Sequence, residues 1–96
     1  MPTEAAVRDV LSGIVDPEMN YDLVTLGLIY KVQCDSEGNV SILMTFTSML
    51  CPFGPQLVDE IRRKVMALEG TKTVDVEVTF NPPWKPSEEL MATLGL

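Results

Sequence analysis

The sequence predicts an α+β protein with a two-layer α/β sandwich, in the order α-β-β-α-β-α. Three segments alternate apolar and polar residues, which is typical of half-buried strands, and two others repeat apolar residues at helical spacing. Because each strand has one apolar face, we expect helices on one face of a three-stranded sheet. The 96 residues, 46% of them hydrophobic and 22% charged, indicate a single globular domain spanning residues 1–96.

The first helix is predicted to begin after Thr3, whose hydroxyl can cap it. Its end is expected at Asp16-Pro17, because proline disfavours helical backbone at the preceding residue. The stripe that should face the sheet consists of Val7, Val10, Leu11 and Ile14.

Two strands follow and form a hairpin around "DSEGN", where Gly38 and Asn39 can adopt positive φ. The residues expected to face the helices are Leu28, Tyr30, Val32 and Cys34 in the first strand and Val40, Ile42, Met44 and Phe46 in the second. The opposite face keeps Ile29 and Leu43, which hints at a second buried surface and leaves a homodimer open.

The second helix carries Leu57, Ile61, Val65 and Leu68 on one side. Its outer side should hold the i,i+4 pairs Asp59–Arg63 and Glu60–Lys64, and Gly70 is expected to stop it. The third strand, with Val74, Val76, Val78 and Phe80 facing inward, should run parallel to the second because a helix connects them. Its neighbour in the sheet is not determined by the pattern. Ser87 is expected to cap a short last helix.

Charge and composition exclude several functions. The net charge of −7 argues against binding to nucleic acid or to an anionic membrane. Histidine is absent, so Ser-His-Asp and Cys-His nucleophile pairs are excluded. No glycine-rich nucleotide motif occurs. No export signal or disulfide framework is evident, and we therefore expect a cytoplasmic protein with reduced thiols.

Cys51 lies in "FTSMLCPFGPQL", between the second strand and the second helix. A thiol before a helix N-terminus is stabilised as thiolate, the form that attacks electrophiles and binds metal. Pro52 and Pro55 should stiffen the segment. A small buried residue in a tight turn is the alternative, and position alone does not separate the two. Cys34, in phase with the core face, is interpreted as a packed core thiol.

Other candidate residues have a structural and a functional interpretation. Asp16 and Glu18, in "DPE", can be hard metal ligands, a polar anchor or caps of a turn, and the cap is the commoner role. Thr47 can bond the thiolate or satisfy backbone groups at the strand end. Trp84 can shield a site, bind a partner or close the core, and Met49 adjoins the cysteine.

Four motifs in order resemble one family. They are "DPE" at Asp16–Glu18, "LGL" at Leu26–Leu28, "TFT…CP" at Thr45–Pro52 and "NPPW" at Asn81–Trp84. Together they resemble the PaaD/SufT-like family of small iron–sulfur cluster assembly domains, also called metal-sulfur cluster biosynthetic proteins, over nearly the whole chain. The resemblance implies an αββαβ fold and a role in protein maturation rather than metabolic catalysis.

The resemblance also implies site residues. The cysteine of the family corresponds to Cys51, its threonine to Thr47, its two acids to Asp16 and Glu18, and its tryptophan to Trp84. Many members have glycine directly before the cysteine, where this chain has leucine.

The implied chemistry is a Cys51 thiolate that ligates iron or an iron–sulfur cluster, or that engages a scaffold or client apoprotein. Clusters usually need about four protein thiolates. One loop cysteine per chain therefore implies a cluster that is shared, completed by other ligands or held transiently. Two alternatives stay open, a partner-binding adaptor with a structural Cys51 and a thiol-dependent redox enzyme. The lack of histidine and of a CxxC motif counts against the second.

Overall fold

The computed structural model describes residues 2–17, 19–46 and 54–81, together with residues 84, 88 and 92. Five elements follow in chain order: α1 (Glu4–Leu11), β1 (Ile29–Cys34), β2 (Asn39–Met44), α2 (Gly54–Met66) and β3 (Thr73–Val78). Of the predicted last helix, Glu88 and Ala92 have helical backbone, whereas Ser87 lies outside the described residues. Within the described residues, none of the helices has the length and apolarity needed to span a membrane.

The three strands form one mixed sheet in the order β1-β2-β3. β1 and β2 pair antiparallel, and β2 and β3 pair parallel, which confirms the predicted hairpin and crossover. β2 is therefore the central strand, a point that the sequence pattern left open. The inner face carries the apolar rows, and the outer face is polar and mostly exposed.

β1 departs from simple alternation. Ile29 pairs with Met44 and Lys31 pairs with Leu43, so one extra residue, Tyr30, is accommodated between them. Such a bulge changes which face the preceding residues occupy. Ile29 is consequently buried in the core at 8% exposure. The expectation that it lies on the outer face was wrong.

α1 is shorter than predicted. Thr3 caps it as expected, its hydroxyl accepting the Ala6 N–H at 3.1 Å. The helix ends at Leu11, where the Ser12 N–H closes the last turn on the Arg8 carbonyl at 2.9 Å. The core is built from both helices, the sheet and the loop after α1: Val7, Leu11, Ile14, Leu23, Leu26, Leu28, Ile29, Val32, Val40, Ile42, Met44, Leu57, Ile61 and Val65.

α2 carries both predicted ion pairs. The Arg63–Asp59 and Lys64–Glu60 distances are 3.8 and 2.9 Å. Exposed pairs of this kind stabilise a helix by only about 0.3–0.5 kcal/mol. The buried face of the helix therefore provides most of its stability.

The tip of the β1–β2 hairpin is fixed against the turn that precedes β3. Gly38 has φ +93°, and its carbonyl accepts the Lys72 N–H at 2.7 Å. A Cβ at this position would lie 2.1 Å from the Gly70 carbonyl oxygen. Only glycine permits this approach, so the hairpin tip and the turn before β3 hold each other in place.

Candidate functional site

Three of the four sequence motifs, "LGL", "TFT…CP" and "NPPW", have residues in contact at one end of the sheet. Because β1 is antiparallel to β2, its first residues lie beside the carboxyl ends of β2 and β3. The buried Thr45 follows β2, and its N–H donates to the Leu28 carbonyl at 2.9 Å. On the other side the Thr79 N–H donates to the Met44 carbonyl at 2.8 Å. The end of β2 is thus held by both neighbouring strands.

The two residues that flank the segment carrying Cys51, Phe46 and Gly54, contact each other. Phe46 follows β2 and Gly54 opens α2, and a Cβ on Gly54 would lie 3.0 Å from the Phe46 ring. The same ring packs against Phe80, with centroids 6.3 Å apart. The candidate residues Thr47, Met49, Cys51 and Pro52 fall within 47–53, outside the described residues.

Trp84 joins two of the motifs. Its indole N–H donates to the Leu26 carbonyl at 2.5 Å, across 58 residues of chain. The side chain is half-buried and packs against the core. Gly27, which follows Leu26 in the chain, has φ +73°, a conformation that favours glycine. The segment Leu26–Leu28 therefore bonds both the end of β2 and the tryptophan.

Asp16 is fully buried and caps a turn. Its Oδ1 accepts the Met19 N–H at 3.3 Å, and its backbone bonds Asn20 and Tyr21 at 2.8 and 2.9 Å. These contacts fit the turn-cap interpretation. Glu18, the second acid of the motif, lies outside the described residues.

An open cleft of about 290 Å³ separates the Asp16 turn from α2. Its lining comprises Val15, Pro17, Gln56, Leu57 and Glu60. The "DPE" segment and the helix that follows the cysteine segment thus form two walls of one surface feature.

Cys34 has a different environment at the end of β1. It is half-buried, carries no disulfide and pairs with Val40. Burial, and then the negative charges of Glu4 and Asp35, raise the pKa of its thiol above the ordinary value of 9.0. The neutral thiol is therefore favoured at pH 7, and the thiolate of Cys34 is less accessible than that of an ordinary cysteine.

Sequence reasoning missed one feature of this region. Asp22 caps the turn before "LGL", its carboxylate accepting the N–H groups of Val24 and Thr25 at 3.1 and 3.0 Å and the Thr25 hydroxyl. An aspartate two and three residues ahead of these donors is the signal that would have revealed it. Across the described ranges, no group of three or more Cys, Asp or Glu side chains is arranged to hold a metal ion.

Comparisons with known proteins show the family to which the chain belongs. Residues 4–78 match the family described as "Iron-sulfur cluster assembly protein". The Fe-S protein maturation auxiliary factor YitW of Bacillus subtilis is 42% identical over 93 residues, covering 94% of this chain and 91% of the relative. The auxiliary factor SufT of Staphylococcus aureus is 41% identical over 71 residues, covering 74% of this chain and 81% of the relative.

The fold is also similar to a solved structure. A conserved hypothetical protein from Thermotoga maritima superimposes with a TM-score of 0.87 at 37% identity, covering 99% of this chain and 96% of that one. These matches confirm the predicted α+β fold and the resemblance identified from the four motifs.

Proposed function

Because the chain belongs to the iron–sulfur cluster assembly protein family, we propose that it is a maturation factor that handles iron or an iron–sulfur cluster as cargo. The observation that carries the proposal is the family match over residues 4–78, which includes all three strands and both helices. The relatives reported above are named auxiliary factors of maturation. A role in assembly rather than metabolic catalysis accords with those names.

Cys51 is the proposed ligand of the cargo. It precedes Gly54, the first residue of α2, by three positions, and three residues extend at most about 11 Å. The free N–H groups at the start of α2 are therefore within reach to favour its thiolate. Cys34, with its raised pKa, forms its thiolate less readily than an ordinary cysteine.

The surrounding motif residues have supporting roles in this proposal. Thr47 donates a hydrogen bond that tunes the Cys51 sulfur, and Pro52 limits the conformations of its segment. Met49 and Trp84 form an apolar rim. The bond from Trp84 to the Leu26 carbonyl supports its placement at this end of the sheet.

The two acids of "DPE" are proposed to shape the neighbouring surface. Asp16 holds its turn through three hydrogen bonds, and that turn forms one wall of the cleft beside α2. Glu18 is proposed to act from the same turn as a polar contact for a partner.

One loop thiolate cannot complete the usual set of about four cluster ligands. We therefore propose that the cargo is held transiently and completed by a second copy, by a scaffold or by a client apoprotein. The protein is proposed to work as one domain in the cytoplasm, where thiols stay reduced.

Anaerobic reconstitution with ferrous iron and sulfide tests this role. The wild type and Cys51→Ala are compared with Cys34→Ala, a matched control that removes the other thiol. We expect visible iron–sulfur absorption and bound iron in the wild type and in Cys34→Ala, and neither in Cys51→Ala. Equal iron binding by all three proteins would remove Cys51 from the site. Absence of iron from all three would favour an adaptor that binds partners without carrying cargo.

A further inference from the structure

The outer face of the sheet has a regular pattern of charge. Strand pairing aligns two rows across it, Lys31–Leu43–Glu77 and Gln33–Ser41–Asp75. Five of these side chains are exposed, and Leu43 at the centre is partly buried. Together with Ile42 they line a shallow depression of about 220 Å³. The β1 edge of the face thus carries one positive charge, Lys31, the β3 edge carries two negative charges, Asp75 and Glu77, and Leu43 lies between Lys31 and Glu77.

We propose that this outer face binds the same face of a second copy, with a two-fold axis parallel to β2. That axis exchanges the two edges, so β1 of one copy lies over β3 of the other. Lys31 then faces Glu77 of the second copy, and the reverse pair forms by symmetry. Leu43 meets its own counterpart at the centre, and Gln33 faces Asp75 of the second copy. The charges of Lys31 and Glu77 are therefore complementary in this orientation.

The charges also exclude the other two-fold arrangement of stacked faces. An axis perpendicular to the strands would place β3 over β3. The carboxylates of Asp75 and Glu77 would then lie beside those of the second copy, and the two Lys31 ammonium groups would lie together. Like charges brought together in an interface are unfavourable. The charge pattern therefore selects the orientation with parallel central strands.

Within one chain, Lys31 and Glu77 are two strands apart, roughly 10 Å, with Leu43 between them. Of the ion pairs formed between described residues, none includes Lys31, Asp75 or Glu77. All three charges are thus available to a second copy without breaking an existing pair.

The size of the face sets the expected strength of the dimer. Three strands of six residues present an area of roughly 15 by 20 Å. Two such faces together present roughly 600 Å² in projection, which is below the about 1,200–2,000 Å² of specific, stable interfaces. We therefore expect a weak, reversible dimer that is populated at high protein concentration.

Charge reversal tests the interface on metal-free protein. Sedimentation equilibrium would be run on the wild type, Lys31→Glu, Glu77→Lys and the double variant, after circular dichroism has verified their folding. Each single variant places like charges opposite one another and should weaken self-association at least ~10-fold. The double variant should dimerise like the wild type. A mixture of the two single variants should form a heterodimer, because each then meets the opposite charge.

Lys72→Glu is the matched control, because this exposed lysine precedes β3 and lies outside both rows. It should leave association unchanged. A wild type that stays monomeric up to about 1 mM, or single variants whose mixture does not associate, would overturn the interface. If self-association fails, only the interface is refuted, and the iron reconstitution result still stands. If the protein dimerises but does not bind iron, only the cargo role is refuted.

Discussion

Replacing Trp84 with phenylalanine should weaken the packing of the chain that follows β3. The substitution keeps an aromatic ring against the core but removes the indole N–H that donates to the Leu26 carbonyl at 2.5 Å. Leu26 is 1% exposed, so its carbonyl would lose its partner with little access to water. A lost hydrogen bond that leaves a buried acceptor unsatisfied costs about 1–3 kcal/mol. For a domain of this size, each 1 kcal/mol lowers Tm by roughly 4–8 °C.

Urea unfolding followed by far-ultraviolet circular dichroism measures this effect, since the variant lacks tryptophan fluorescence. We expect Trp84→Phe to lower the free energy of unfolding by about 2 kcal/mol with an unchanged dependence on urea. Met66→Ala is the control, because Met66 is 43% exposed and its truncation should change stability by less than about 0.5 kcal/mol. A loss below about 0.5 kcal/mol for Trp84→Phe would refute the inferred bond between the two motifs.

Two further predictions concern the hairpin and the core thiol. Gly38→Ala should destabilise the fold by at least about 2 kcal/mol in urea unfolding, because its Cβ would collide with the Gly70 carbonyl and φ is positive. Gly13→Ala, with its nearest contact at 3.4 Å, should be neutral within about 1 kcal/mol, and equal losses at both sites would contradict the geometry. In a Cys51→Ala background, Cys34 should react with iodoacetamide at pH 8 more slowly than free cysteine, because its pKa is raised. Reaction of Cys34 at the rate of free cysteine would disprove the shift. The free energy of unfolding that the neutral thiol contributes should be fully present below the ordinary thiol pKa and should fall as the pH rises through the raised pKa.

Local sequence signals predicted most of the fold. Period-two and helical patterns depend on neighbouring residues, so they identified three strands, both helices, the Thr3 cap and the ion pairs of α2. The pattern missed the irregularity in β1 because the extra residue, Tyr30, is apparent only from the partner strand. It also extended α1 to Asp16, whereas the helix ends at Leu11 and Ile14 reaches the core from the following turn.

The candidate site was predictable only in part. Family-like motifs directed attention to four segments, but did not predict how these segments contact one another. The bond between Trp84 and Leu26 spans 58 residues, and no local pattern encodes such a contact. Asp16 illustrates the opposite case, because its interpretations were visible in the sequence and the buried hydrogen bonds favour the cap. The complementary charges of the outer face needed the strand order, which places Lys31 and Glu77 at opposite edges.

Transfer of cargo to an acceptor tests the central claim most directly. Reconstituted wild type, Cys34→Ala and Cys51→Ala would each be mixed anaerobically with an apo-ferredoxin, and cluster formation in the acceptor followed by visible circular dichroism. A parallel sample with equal free iron and sulfide measures the uncatalysed background. We predict that the wild type and Cys34→Ala fill the acceptor faster than this background, while Cys51→Ala does not exceed it. Transfer by Cys51→Ala at the wild-type rate would contradict a role of this thiolate in handling the cargo.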